Sequence, residues 1–69
     1  MHEPGRYNIG DIVNIRGGTD GYVIDKDYVP EYSSHVYLVE TTYFTEWFRA
    51  GELVLMHRVA DEKPAKYSF

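Results

Sequence analysis

The sequence contains no cysteine. No disulfide can form and no thiolate can hold zinc, which removes two staples that small domains commonly use. That absence is neutral as to compartment. No run of about 18 apolar residues occurs either, so nothing reads as a membrane-spanning helix. Met1-His2-Glu3-Pro4-Gly5-Arg6 supplies neither the basic nor the apolar stretch of a secretion signal, and a cytoplasmic location is the expectation. Positive charge is scarce: seven Lys and Arg stand against eleven Asp and Glu, a formal net charge of −4. Such a chain gains no counterion-release drive toward nucleic acid unless its few bases cluster.

What the chain does have is aromatic area. Seven Tyr, three Phe and one Trp sit among 69 residues. A single domain of this length buries only about 60% of its unfolded surface, so large rings with few rotamers to freeze are an economical core material.

Turn residues then divide the chain at regular intervals. Residues 1–8 read as a lead-in arm. After Gly10-Asp11 comes a strand over Ile12–Arg16, rich in β-branched residues. Gly17-Gly18-Thr19-Asp20-Gly21 supplies the positive-φ conformations of a tight connection. A second strand runs over Tyr22–Val29, and Pro30 opens a turn or short loop because it cannot donate to a ladder. His35–Glu40 is the clearest strand, followed by Thr45–Arg49, a single helical turn at Ala50–Leu53, and a last strand over Val54–Arg58. A helix over Thr45–His57 is the rival reading, but Gly51 interrupts it and its apolar residues fit no 3.6-residue stripe. Residues 59–69 are polar, contain Pro64, and are expected to form a flexible tail. Short strands with turns every eight to twelve residues predict an all-β fold, a small five-stranded barrel or sandwich. Its core candidates are Val13, Ile15, Val23, Tyr37, Val39, Leu53 and Leu55.

Several of these segments resemble the SH3-like small barrels. Gly10-Asp11-Ile12-Val13-Asn14-Ile15-Arg16 with Gly21-Tyr22-Val23 is similar to their opening hairpin, and Val36-Tyr37-Leu38-Val39 to their central strand. Glu46-Trp47-Phe48-Arg49-Ala50-Gly51-Glu52-Leu53 looks like their passage through one 3₁₀ turn into the last strand. The resemblance covers residues 9–58 and is one of pattern. In style it is nearest to small uncharacterised SH3-like proteins of bacteria and their phages. The motifs of peptide-binding eukaryotic SH3 domains are missing. The KOW elements of ribosomal and transcription proteins share the Gly-Asp-x-Val hairpin but are usually basic. An SH3-like fold hosts many unrelated functions.

Residues that could carry chemistry offer little. His2, His35 and His57 lack metal-ligand spacing, although His35 and His57 could share neighbouring strands. Ser33, Ser34 and Ser68 sit in no nucleophile motif, and although Ser33-Ser34-His35 is a run in sequence, strand neighbours point to opposite faces, which argues against a direct Ser–His pair. Asp25 and Asp27 share a strand face, yet so small a barrel has little room for a substrate cleft. The Gly17–Gly21 loop lacks the Lys-Ser/Thr and following helix of a phosphate cradle. No catalytic, metal or cofactor site is expected, and the chain reads as a non-enzyme.

The aromatics remain. Tyr28, Tyr32, Tyr43, Phe44, Trp47 and Phe48 cannot all enter a core already holding the residues named above. Trp47 and Phe48 are consecutive on a strand, so one faces in and the other out. The expectation is a non-catalytic interaction module. Tyr28, Tyr32, Tyr43, Trp47 or Phe48, with Asp25 and Asp27, would form one patch for a protein partner. An acidic rim of Asp25, Asp27, Glu31 and Glu46 would favour a basic one. Two alternatives stand beside it. One is a KOW-like nucleic-acid binder using the Gly10–Gly21 hairpin with Arg16 and Arg49. The other is a structural homo-oligomer whose aromatics close a symmetric interface.

Overall fold

The computed structural model describes residues 6–65. Their strands are β1 (Ile12–Ile15), β2 (Asp20–Val29), β3 (Ser34–Glu40), β4 (Thr45–Arg49) and β5 (Leu53–His57), joined in one antiparallel sheet of order β4-β3-β2-β1-β5. The fold is all-β. One 3₁₀ turn, Pro30–Tyr32, links β2 to β3, and a second, Ala50–Glu52, leads into β5. Strand, turn and strand therefore occupy the stretch in which a helix was the rival. The β1–β2 connection is a tight turn in which Gly17 alone of the three glycines takes a positive φ, 77°, and the Ile15 N–H donates to the Thr19 carbonyl.

Long β2 pairs with β1 through its first residues and with β3 through the rest. Between Val23 and Asp25 its register slips by one residue. The extra residue, Ile24, is a bulge, which bends the strand and lets the sheet coil around one core. Gly21 sits where β2 crosses closest to the end of β3: a Cβ there would lie 2.6 Å from the Glu40 carbonyl oxygen.

That core joins Val13, Val23, Tyr37, Val39 and Leu53 with Tyr7 and Ile9, and Ile15, Phe48, Ala50 and Ala65 pack against it. Burying each large apolar side chain stabilises the fold by about 1.5–3 kcal/mol. Leu55 differs from the expectation. It lies opposite Val13 but is 39% exposed, because β5 is the sheet edge among the described residues and no further strand of theirs covers it.

Tyr7 differs in the other direction. It lies in the segment read as a lead-in arm, yet it is buried, edge-on to Tyr37, with its hydroxyl donating to the Leu53 carbonyl at 2.9 Å. The start of the tail also packs on the body. The Lys63 N–H donates to the Ile9 carbonyl and the Ile9 N–H to Glu62 Oε2. Gly10 leaves room for this crossing, having φ 106° and only 2.8 Å between an added Cβ and the Lys63 side chain. Lys26 reaches Glu62 at 2.7 Å. This ammonium, and after it the Ile9 N–H, holds the Glu62 carboxyl below its ordinary value.

Buried Asp11 ties the two ends together. Its carboxylate accepts the N–H groups of Asn8 and Val59 and meets Arg58 Nε at 3.0 Å. Both carboxylate oxygens thus have partners, one of them a cation, which is what makes a fully buried carboxylate tolerable.

Candidate functional site

Cross-strand neighbours in an antiparallel sheet share a face. The register of β2, β3 and β4 therefore defines three rows on the side away from the core. Tyr22, Glu40 and Thr45 form the first, Asp25, Leu38 and Trp47 the second, and Asp27, Val36 and Arg49 the third. The bulge decides this membership. Without it, Asp25 would lie on the opposite face from Tyr22; the extra residue Ile24 restores both to the outer side.

Trp47 is the outward member of its pair. It is 47% exposed, whereas Phe48, opposite Tyr37, packs against the core and near Phe44. Arg49 extends the third row, placing its guanidinium 3.7 Å from the centre of the Tyr32 ring. At the other end the β3–β4 turn carries Tyr43, which is 80% exposed. The Thr41 hydroxyl accepts the N–H groups of both Tyr43 and Phe44 and so fixes that turn. Asp25 and Asp27 each spend one carboxylate oxygen on the next residue's N–H. Neither joins an ion pair among the described residues.

Two shallow grooves of about 250 Å³ each flank Tyr22 and share Tyr22 and Glu40 in their walls. One continues to Ile24, Lys63 and Pro64, the other to Asp20, Thr41 and Thr42.

The expected single patch is thus only partly assembled. Trp47, Asp25 and Asp27 come together on the outer face, with Tyr32 and Tyr43 at its two ends. Tyr28 does not join them. It pairs with His35 on the core side of the sheet, where its ring lies 5.2 Å from the imidazole, and His35 in turn stacks on Tyr37. Of the acidic rim, Glu46 lies opposite Val39 and so belongs to the inner side, while Glu31 sits beside Tyr32 in the first 3₁₀ turn. Tyr22 and Glu40 were missed by the sequence reading. His35 and His57 are not on neighbouring strands, since β2 and β1 lie between β3 and β5.

Four of the basic residues make contacts within the domain. Arg16 Nε donates to the Gly51 carbonyl, Lys26 pairs with Glu62, Arg49 covers Tyr32, and Arg58 pairs with Asp11. Among the described residues no helix is long and apolar enough to cross a membrane.

The fold and this face define a small, five-stranded, antiparallel all-β domain that displays an aromatic and acidic sheet surface. Compared with protein-family models, curated proteins and solved structures, the chain finds no match in any of the three.

Proposed function

We propose that this chain is a non-catalytic, SH3-like interaction module that binds a protein segment bearing Lys or Arg beside apolar residues. The observation that carries the reading is the row Asp25–Leu38–Trp47, with Asp27 in the next row. The half-exposed indole of Trp47 on β4 and the carboxylates of Asp25 and Asp27 on β2 lie two strands apart on one face. A segment crossing them could set one basic side chain on the ring and another at the carboxylates, while Leu38 and Val36 on β3 give its apolar groups a floor between. In the manner of the small bacterial and phage proteins it resembles, the module would act as a cytoplasmic accessory protein. A nucleic-acid reading finds less support, because Arg16 and Arg49, the bases it would need, already contact the Gly51 carbonyl and the Tyr32 ring.

Trp47 is the sole tryptophan, so its fluorescence reports directly on the face. Titration with a synthetic peptide of Arg, Lys and Leu should change that emission saturably. Added salt should weaken the response and Asp25→Asn with Asp27→Asn should remove it. A poly-glutamate peptide should give none. No response to the basic peptide, or a stronger one to a single-stranded oligonucleotide, would overturn the proposal.

A further inference from the structure

The outer face of β2, β3 and β4 is not uniform in charge. Asp25 and Asp27 stand on β2, Leu38 and Val36 on β3, and Trp47 and Arg49 on β4. Two acids therefore line one margin and a cation the other, with an apolar column between them. At about 4.8 Å per strand and 3.3 Å per residue, the Arg49 backbone is roughly 10 Å from that of Asp27 and roughly 7 Å from that of Trp47.

Arg49 is held in place but not neutralised. Its guanidinium lies over the face of the Tyr32 ring, 3.7 Å from the ring centre. A ring face attracts the charge and leaves the N–H groups, which radiate in the guanidinium plane, unspent. Among the described residues no carboxylate pairs with it. Glu52, three residues on, gives its carboxylate to the Arg49 peptide N–H instead, and Glu46 lies on the inner side of the same strand. Arg16 and Arg58 differ, since the first donates to the Gly51 carbonyl and the second to Asp11 and the Arg6 carbonyl. An exposed arginine ordinarily loses side-chain freedom when it pairs with an acid, which offsets much of the gain. One already laid on a tyrosine has less to lose.

We infer that Arg49 receives a carboxylate of the bound segment, so that the segment carries a Glu or Asp beside the base that covers Trp47. This rests on the outer face being the binding surface and specifies what binds there. A segment of Lys and Arg alone would set its base on Trp47 next to Arg49, like charge beside like. An acid placed at Arg49 pairs both with it and with the segment's own base. The two carboxylates on β2 disfavour the reverse orientation, with the acid at that margin. A lone cation facing two carboxylates across the sheet does not suit a run of phosphates, but it suits one acidic side chain.

Trp47 emission reads the test. The peptide of Arg, Lys and Leu is flanked by Gln on both sides, and each Gln is replaced in turn by Glu and by Lys. At one position Glu should bind about two- to fivefold more tightly than Gln, the range of an exposed charge pair, and Lys more weakly than either. Arg49→Gln, at an exposed position, should keep the parent's circular dichroism spectrum. It should bind the Gln peptide at least as tightly as the parent does, while the gain from Glu disappears. Should that variant unfold, the Arg49 Nε–H resonance of the parent answers the same question, moving with the Glu peptide and not with its Gln counterpart. A scan with no position at which Glu exceeds Gln, a gain that persists in folded Arg49→Gln, or an unmoved Nε–H resonance would overturn this inference and leave the outer face as the binding surface. A Gln peptide that does not bind the parent at all would overturn both.

Discussion

On the inner side of the β2–β3–β4 region the aromatic rings are locked together. Tyr7 lies edge-on to Tyr37 at 5.0 Å, Tyr37 stacks with His35 at 6.4 Å, and His35 meets Tyr28 at 5.2 Å. On the outer side Trp47 and Tyr22 stand about half exposed, with carboxylates between and beside them. The same residue types serve two ends. Inside, ring area is converted into stability that a cysteine-free domain of this size has few other ways to obtain. Outside, the area is left in water, where it contributes little to folding and is available to a partner.

Substitutions should separate the two sides by what they damage. The largest effect is expected inside: Tyr37→Ala removes a ring that is 1% exposed and should cost about 3–5 kcal/mol, read as a lower urea midpoint or outright unfolding. Asp11→Asn comes next. Its amide nitrogen would have to face an N–H donor, since the carboxylate now accepts from Asn8, Val59 and Arg58, and about 1–3 kcal/mol of stability should be lost. Trp47→Ala should invert the pattern, changing stability by less than about 1 kcal/mol while lowering affinity for the basic peptide at least about tenfold. If Trp47→Ala unfolds the chain, the distinction between the sides collapses.

The smallest effect concerns pH. Glu62 is held below its ordinary value of 4.5 by Lys26 and the Ile9 N–H, so its contribution is complete above that value and is lost as pH falls through the lower folded one. Glu62→Gln should therefore be slightly less stable than the parent near neutrality, and the gap should close in acid. Urea midpoints measured at successive pH values would show it.

How much of this was legible in the sequence follows from where alternation holds. Along β3 it holds without interruption, so Tyr37 and Val39 were readable as core and Leu38 as outward. Along β2 it is broken at Ile24, and a strict period of two cannot place Tyr22 on the same side as Asp25. The outer face was therefore visible only in pieces. Tyr28 was misjoined for the related reason that a side-chain count without register cannot say which face a surplus ring takes. Tyr7 and Ile9 were missed because their burial depends on long-range contacts, with Tyr37 in one case and the Glu62–Lys63 crossing in the other. Leu55 has the alternation of a core residue, but edge position depends on strand order, which no local pattern encodes.

The central claim is that the outer face, and not the inner aromatic row or the β5 edge, receives the partner. Amide chemical-shift mapping with the Arg, Lys and Leu peptide tests it most directly. The account predicts shifts concentrated at Asp25, Asp27, Val36, Leu38 and Trp47, including the indole N–H, with β5 unmoved. Shifts confined to Leu53–His57, or no shifts at saturating peptide, would contradict it.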